Sequence, residues 1–303
     1  MKRNRTFLTD SNPLFAELRE MPDVHLIERG GMLMAVFFLV LLSGALFSAL
    51  LFAIIGRIFP AAEENETLSL MFLLYLTGGI ILMTLIFCRK IENRPLRTTG
   101  MKAKGFLLQY PAGAAAGFAM FGAAVLIAWK CGGLTFSGRS EQFSSGTAAV
   151  LLSAWLVQGF SEEISFRGWL MISAGAQHGA KAAVCSSALL FAIAHIGNDG
   201  VSIPALLNLF LFGVFAAFYV LRTGSIWGAA AMHGVWNFVQ GNVFGIKVSG
   251  IEMPDSVWRF SSAEGMKWLN GGSFGLEGGL AVTAVLAAGI LLLWLFPAGN
   301  RRH

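Results

Sequence analysis

The chain has 303 residues and a formal net charge of +5, with 55% hydrophobic and only 13% charged residues. A water-soluble domain carries about a quarter charged residues, so this composition, with a mean hydropathy of +0.66, excludes an ordinary soluble enzyme. The basic excess is therefore read as membrane topology and not as nucleic-acid binding, and the 26 Phe and 8 Trp as lipid-facing and bundle-filling surface.

Residues 1–30 are polar and mixed in charge. They lack a short apolar region before a small-residue cleavage site, so no cleavable signal is expected. The segment reads as a cytoplasmic N-terminal piece with scope for a short amphipathic element at the membrane surface. Eight apolar segments follow, near 31–58, 68–88, 106–129, 149–175, 181–197, 203–221, 225–243 and 274–296. A membrane helix needs about 20 residues. The expected fold class is thus all-α, a polytopic membrane bundle of about eight transmembrane helices.

Residues 31–145 supply the N-terminal membrane helices and 146–243 a core that carries unusual polar groups. Residues 244–273 form an extracytoplasmic loop with Trp258 and Trp268 as interface anchors, and 274–303 the last helix and a cytoplasmic tail. On this scheme fifteen lysines and arginines fall on one side, including Lys2, Arg3, Arg5, Arg29, Arg94, Arg301 and Arg302, and six on the other. That bias places both termini in the cytoplasm. The absence of organellar targeting and the compact length favour a bacterial inner membrane. Cys88, Cys131 and Cys185 are scattered and odd in number, which gives neither a disulfide framework nor metal spacing.

The fourth segment contains VQGFSEEISFRGWLM, residues 157–171, with Glu162, Glu163 and Arg167 at mid-span. A charge at the bilayer centre costs about 2.5–3.5 kcal/mol on insertion scales, so such groups face protein or water and pair. Glu163 and Arg167 are four apart and meet on one helix face. Glu162 points about 100° away and is left over. The fifth segment ends in LLFAIAHIGND. A hairpin turning within SAGAQHGAK brings His195 to the depth of Glu162, with Phe191 on the histidine's face. The seventh segment carries His233 and Asn237 on one face, beside the small residues Gly228, Ala229, Ala230, Ala231 and Gly234, which permit close helix approach.

A lone buried histidine is usually a satisfied core residue. Two histidines, an asparagine and a spare glutamate in three neighbouring spans permit water activation. A buried glutamate can take a proton from water, a histidine can orient that water, and a histidine with an asparagine can donate to the oxyanion of a hydrated carbonyl. Other routes to intramembrane hydrolysis lack their residues. There is no H-E-x-x-H helix. Ser225 lies two turns from His233, too far for a dyad, and none of the four aspartates is mid-span.

The patterns Glu162-Glu163-x-x-x-Arg167, Phe191-x-x-x-His195 and His233-x-x-x-Asn237 occur in that order in three separate spans. Over residues 146–243 the chain resembles the CPBP family, which comprises type II CAAX prenyl endopeptidases, bacteriocin-processing proteases and Abi proteins. The resemblance implies an intramembrane endopeptidase in which Glu162 and His195 activate water, His233 and Asn237 form the oxyanion site, and Glu163, Arg167 and Phe191 support them. The substrate implied is a membrane-associated peptide or protein tail, the other partner is the lipid bilayer, and no nucleic acid is expected. No cofactor is favoured. The alternative is a divalent metal, zinc, held by Glu162, His195 and His233. Three other readings compete: a catalytically silent scaffold or immunity protein of the same family, a bis-histidine haem protein using His195 and His233, and a proton-coupled transporter. The haem reading leaves the glutamates and Arg167 unexplained, and the transporter predicts broken helices beside the site, whereas Pro111 and Pro204 lie near span starts and neither is beside the charged cluster.

Overall fold

The computed structural model describes residues 7–27, 30–141 and 143–295. Of the charges in the topology tally, Lys2, Arg3, Arg5, Arg29, Arg301 and Arg302 lie outside the described residues.

Helix α1 (Pro13–Arg19) starts at Asn12, whose Oδ1 accepts from the Leu14 amide at 3.0 Å and satisfies one of the free donors of the first turn. Its Leu14, Phe15 and Leu18 are buried. The amphipathic N-terminal element therefore exists, but its apolar side packs on protein and not on the membrane surface. Helix α2 (Gly30–Ile58) is the opposite case. Only 11% of its most apolar window is buried, and Leu39, Leu42, Leu46 and Leu50 point outward. A continuous apolar surface of this size is stable only against lipid.

Short α3 (Ala61–Glu64) leads to α4 (Glu66–Leu76) and α5 (Gly78–Ile86), which with the π turn Phe87–Ile91 make the second span. Helix α6 (Phe106–Lys130) is the third. Helix α7 (Ser145–Glu163) runs directly into a π-helical segment, Ile164–Met171, and then into α8 (Ile172–Ala194). Helices α9 (Ile203–Thr223) and α10 (Trp227–Phe238), the short α11 (Lys267–Asn270) and α12 (Leu280–Leu295) complete the bundle.

The protein is an all-α membrane helix bundle. Four helical stretches, Gly31–Ile58, Glu66–Ile91, Phe106–Lys130 and Ile203–Thr223, are long and apolar enough to cross a membrane on that ground alone. The other expected segments, near 149–175, 181–197, 225–243 and 274–296, contain helix too, the last of them over Leu280–Leu295. The fourth is interrupted by charges and the last is a shorter apolar helix. One small sheet was not foreseen. Strands β1 (Leu134–Arg139) and β2 (Trp258–Ser262) pair antiparallel with Leu134 opposite Ser262, and tie the loop after α6 to the 244–273 loop.

Helix α10 lies between α6 and α7. At the α7 crossing a Cβ added to Gly159 would stand 2.5 Å from the Gly234 amide nitrogen, and one added to Gly234 would stand 2.7 Å from the Trp155 carbonyl. The two backbones touch, which only small residues allow. The expected hairpin after α7 is also present. Gly179 breaks α8 with φ 84° and ψ 175°, a conformation open to glycine, and the Asp10 carboxylate accepts from the Ala180 amide at 2.8 Å. The chain then folds back so that the Ser187 hydroxyl donates to the Phe166 carbonyl at 3.0 Å and the Phe166 and Phe191 rings meet at 5.2 Å. The pair 166–191 has the same midpoint as 162–195, so the fold-back puts Glu162 and His195 on one level.

A π segment loosens the helical ladder and leaves carbonyls to be satisfied from outside. The Phe166 carbonyl is taken by Ser187, and the Gly168 carbonyl by Arg94 Nη2 at 3.1 Å. Arg94 also donates to Ser173 Oγ at 2.8 Å and to Thr98, and stands 3.7 Å from Glu92. It is completely buried. Arg94, counted in the charge tally with the loop after the second span, is thus a structural clamp on the segment that follows the two glutamates. Burial pushes the neighbouring Glu92 carboxyl up, and Arg94 pulls against that rise.

Candidate active site

The polar residues of α7, the end of α8 and α10 converge on one cavity. Glu163 and Arg167 are both fully buried and pair through Arg167 Nη1 and Glu163 Oε1 at 2.8 Å. The same Oε1 accepts from His233 Nδ1 at 2.9 Å. Glu163 is thus engaged twice, by the arginine, as the four-residue spacing predicted, and by a histidine of a different helix. The Arg167 guanidinium also lies 4.4 Å from the centre of the Phe191 ring, a cation–π contact that gives the desolvated charge a second favourable neighbour. Phe191 in turn touches both histidine rings, at 4.8 Å from His195 and 5.9 Å from His233.

Glu162 is arranged differently. Its side chain retains 20% exposure. Oε1 accepts from Gln158 Nε2 at 2.7 Å. Among the described residues Oε2 has no hydrogen-bond partner and stands 3.7 Å from His233 Nε2. That is longer than a hydrogen bond. A carboxylate with one oxygen held and one oxygen bare is oriented and still able to accept a proton.

His195 closes α8. Its Nδ1 lies 2.8 Å from the Phe191 carbonyl. A carbonyl only accepts, so Nδ1 carries the proton and Nε2 of the neutral ring presents a lone pair. Asn237 Nδ2 donates to Gln158 Oε1 at 2.9 Å, which leaves the second amide hydrogen for a ligand.

These residues line a shared cavity. Glu162, His195, His233, Asn237 and Phe191 are all on its wall, whereas Glu163 and Arg167 are behind it. The expected residues are therefore brought together, and split by position into a group that faces the cavity and a pair that braces it.

Sequence reasoning missed Gln158, which joins Glu162 to Asn237. The signal was present: it sits one turn before Glu162 on the same face. It also missed Asn198, Asn208, Ser249 and Glu277, which complete the wall. They come from α9 and three loops, and no local pattern marks them.

Among the described residues no group of three or more His, Cys, Asp or Glu is placed to hold a metal ion.

Gln158→Leu is expected to lower kcat by about tenfold with little change in KM, because Glu162 and Asn237 lose the group that sets their spacing. Steady-state kinetics with melting curves check this. Wild-type kcat in a folded variant would remove Gln158 from the positioning role.

No curated protein and no solved structure matches the chain. A family model does, over residues 144–239: Type II CAAX prenyl endopeptidase Rce1-like. The matched stretch begins just before α7 and ends just after Asn237, so it contains the whole motif set and leaves out the first three spans, the 244–273 loop and α12. The family consists, in general, of intramembrane endopeptidases. Residues 144–239 of this integral membrane protein are a type II CAAX prenyl endopeptidase Rce1-like domain, consistent with the CPBP family.

Proposed function

We propose that the protein is a glutamate-type intramembrane endopeptidase that hydrolyses a peptide bond of a membrane-associated peptide or protein tail. The observation that carries this reading is the placing of Glu162 on the wall of the cavity that His195, His233 and Asn237 also line, while the adjacent Glu163 lies behind the wall, paired with Arg167 and His233.

Water sits between Glu162 Oε2 and His195 Nε2. Glu162 takes one proton from it as the oxygen attacks the scissile carbonyl carbon. The carbonyl π electrons move to oxygen, and the oxyanion is met by the free hydrogen of Asn237 Nδ2 and by His233 Nε2–H. In this scheme His233 acts as the imidazolium, with Nδ1–H on Glu163 and Nε2–H on the oxyanion. Collapse of the intermediate breaks the C–N bond, and Glu162 returns its proton to the departing amine. The products are a carboxylic acid and an amine, with water fully accounted for. Arg167 holds Glu163 Oε1 where it accepts from His233 Nδ1.

No step in this scheme uses a metal. Cleavage is therefore expected to persist when purified protein is treated with excess 1,10-phenanthroline. Loss of activity that added zinc restores would overturn that part of the scheme.

The test of the whole reading compares membrane peptidomes from cells expressing wild type and Glu162→Ala at equal levels. Peptide termini produced only by wild type establish proteolysis and give the cleavage sequence. Identical peptidomes overturn it in favour of a scaffold. The bacterial inner membrane, with both termini cytoplasmic, remains the proposed location, supported by the charge bias along the chain.

A further inference from the structure

Beyond the catalytic groups the cavity wall carries a second carboxylate. Glu277, in the turn before α12, lines the same cavity as Glu162, and the described lining contains no lysine or arginine. Glu277 Oε2 is held by two donors, the Ser249 amide at 2.8 Å and the Ser249 hydroxyl at 2.9 Å. Ser249 is itself fixed: its carbonyl accepts from Asn198 Nδ2 at 3.0 Å, and its φ of 48° is left-handed, a conformation uncommon for serine. Behind Glu277, Asn208 Nδ2 donates to the carbonyls of Glu277 and Gly279, and Thr283 Oγ1 donates to Asn208 Oδ1. The carboxylate cannot swing away. The same wall carries the apolar side chains of Trp236, Phe212, Val248 and Ile251. A peptide laid on it meets a carboxylate held in place on a different element from Glu162.

We propose that Glu277 is a specificity-determining residue, which makes the cavity select peptide segments bearing a basic side chain and reject acidic side chains or a free C-terminal carboxylate at that position. The proposal rests on the reading of the cavity as a peptide site. The purely structural role of Glu277, stapling Ser249, predicts no dependence on peptide charge.

The experiment uses the full-length protein in zwitterionic nanodiscs. Two fluorescent ten-residue Leu/Ala probe peptides, blocked at both ends and differing in one Lys or Glu, are titrated by anisotropy, with empty nanodiscs as the blank. Wild type is expected to prefer the lysine peptide by about tenfold, the scale of one charge acting across about 10 Å of protein-like medium, and the preference is expected to shrink at high salt. Glu277→Gln keeps the hydrogen-bond acceptor and removes the charge, and should bind both peptides about equally. Ser249→Ala removes a bond and keeps the charge, and should retain the preference.

Equal binding of the two peptides by wild type overturns the proposal. So does an unchanged preference in Glu277→Gln, or a loss in Ser249→Ala as large as in Glu277→Gln. Should Glu277→Gln not accumulate, Glu162→Gln decides: a salt-sensitive lysine preference that persists in it supports Glu277, and a preference that vanishes in it overturns the assignment. If the preference is seen but neither peptide is ever cut, the endopeptidase reading fails while the charge selection stands.

Discussion

Glu162→Gln is expected to lower kcat by about 10²–10⁴-fold, the usual contribution of a positioned general base, and to leave the protein folded. Gln has the volume of Glu, and its Oε1 can still accept from Gln158 Nε2. What changes is the atom that faces His233: an amide nitrogen in place of the bare Oε2 cannot take a proton from water. Because that oxygen has no protein partner to lose, and the side chain is a fifth exposed, the melting temperature should move by no more than about 2 °C. His195→Ala is expected to act in the same direction, since it removes the second acceptor of the water. The assay is turnover of a verified substrate by reconstituted protein, with thermal melting alongside. A folded Glu162→Gln protein with wild-type turnover would remove Glu162 from the role of base.

Arg167→Ala is expected to do the reverse, with its main effect on the fold. It strips Glu163 of its cation in a place with no access to water, where both side chains are completely buried. Breaking a buried pair from one side costs about 3–5 kcal/mol. His233 remains as a hydrogen-bond partner of Glu163, so the damage is eased but not cancelled, and the contact of the guanidinium with Phe191 is lost as well. Yield in membranes and melting temperature should both fall well below those of Glu162→Ala. Equal yields for the two variants would count against the pairing. The double change Glu163→Leu/Arg167→Met sharpens the point. It removes both charges together and should recover much of the stability, yet it should stay inactive because His233 Nδ1 then has no acceptor to orient it.

These two variants separate two adjacent glutamates that look alike in the sequence. That they differ was legible from spacing alone: Glu163 is one turn from Arg167 and Glu162 is not. The hairpin register that pairs Glu162 with His195 was legible too, because the only turn-like stretch between the two spans sits at their midpoint, and Gly179 does break the helix there. So was the all-α membrane class, since a chain with this few charges has nowhere to expose α2 except to lipid.

The sequence by itself therefore determined the solvent, the helical class, the Glu163–Arg167 contact and the set of residues that meet. These follow from composition and from periodicity along one chain segment. The tertiary structure alone decided which glutamate lines the cavity, and that His233 reaches past Glu162 to Glu163. It also decided that Arg94 is a buried clamp on a π segment and not a surface charge, and that Glu277, more than a hundred residues beyond Glu162 in the chain, shares its cavity. The physical reason is the same in each case. Hydrogen-bond partners and burial are set by which helix faces cross, and at the Gly159–Gly234 contact a fraction of an ångström decides the crossing.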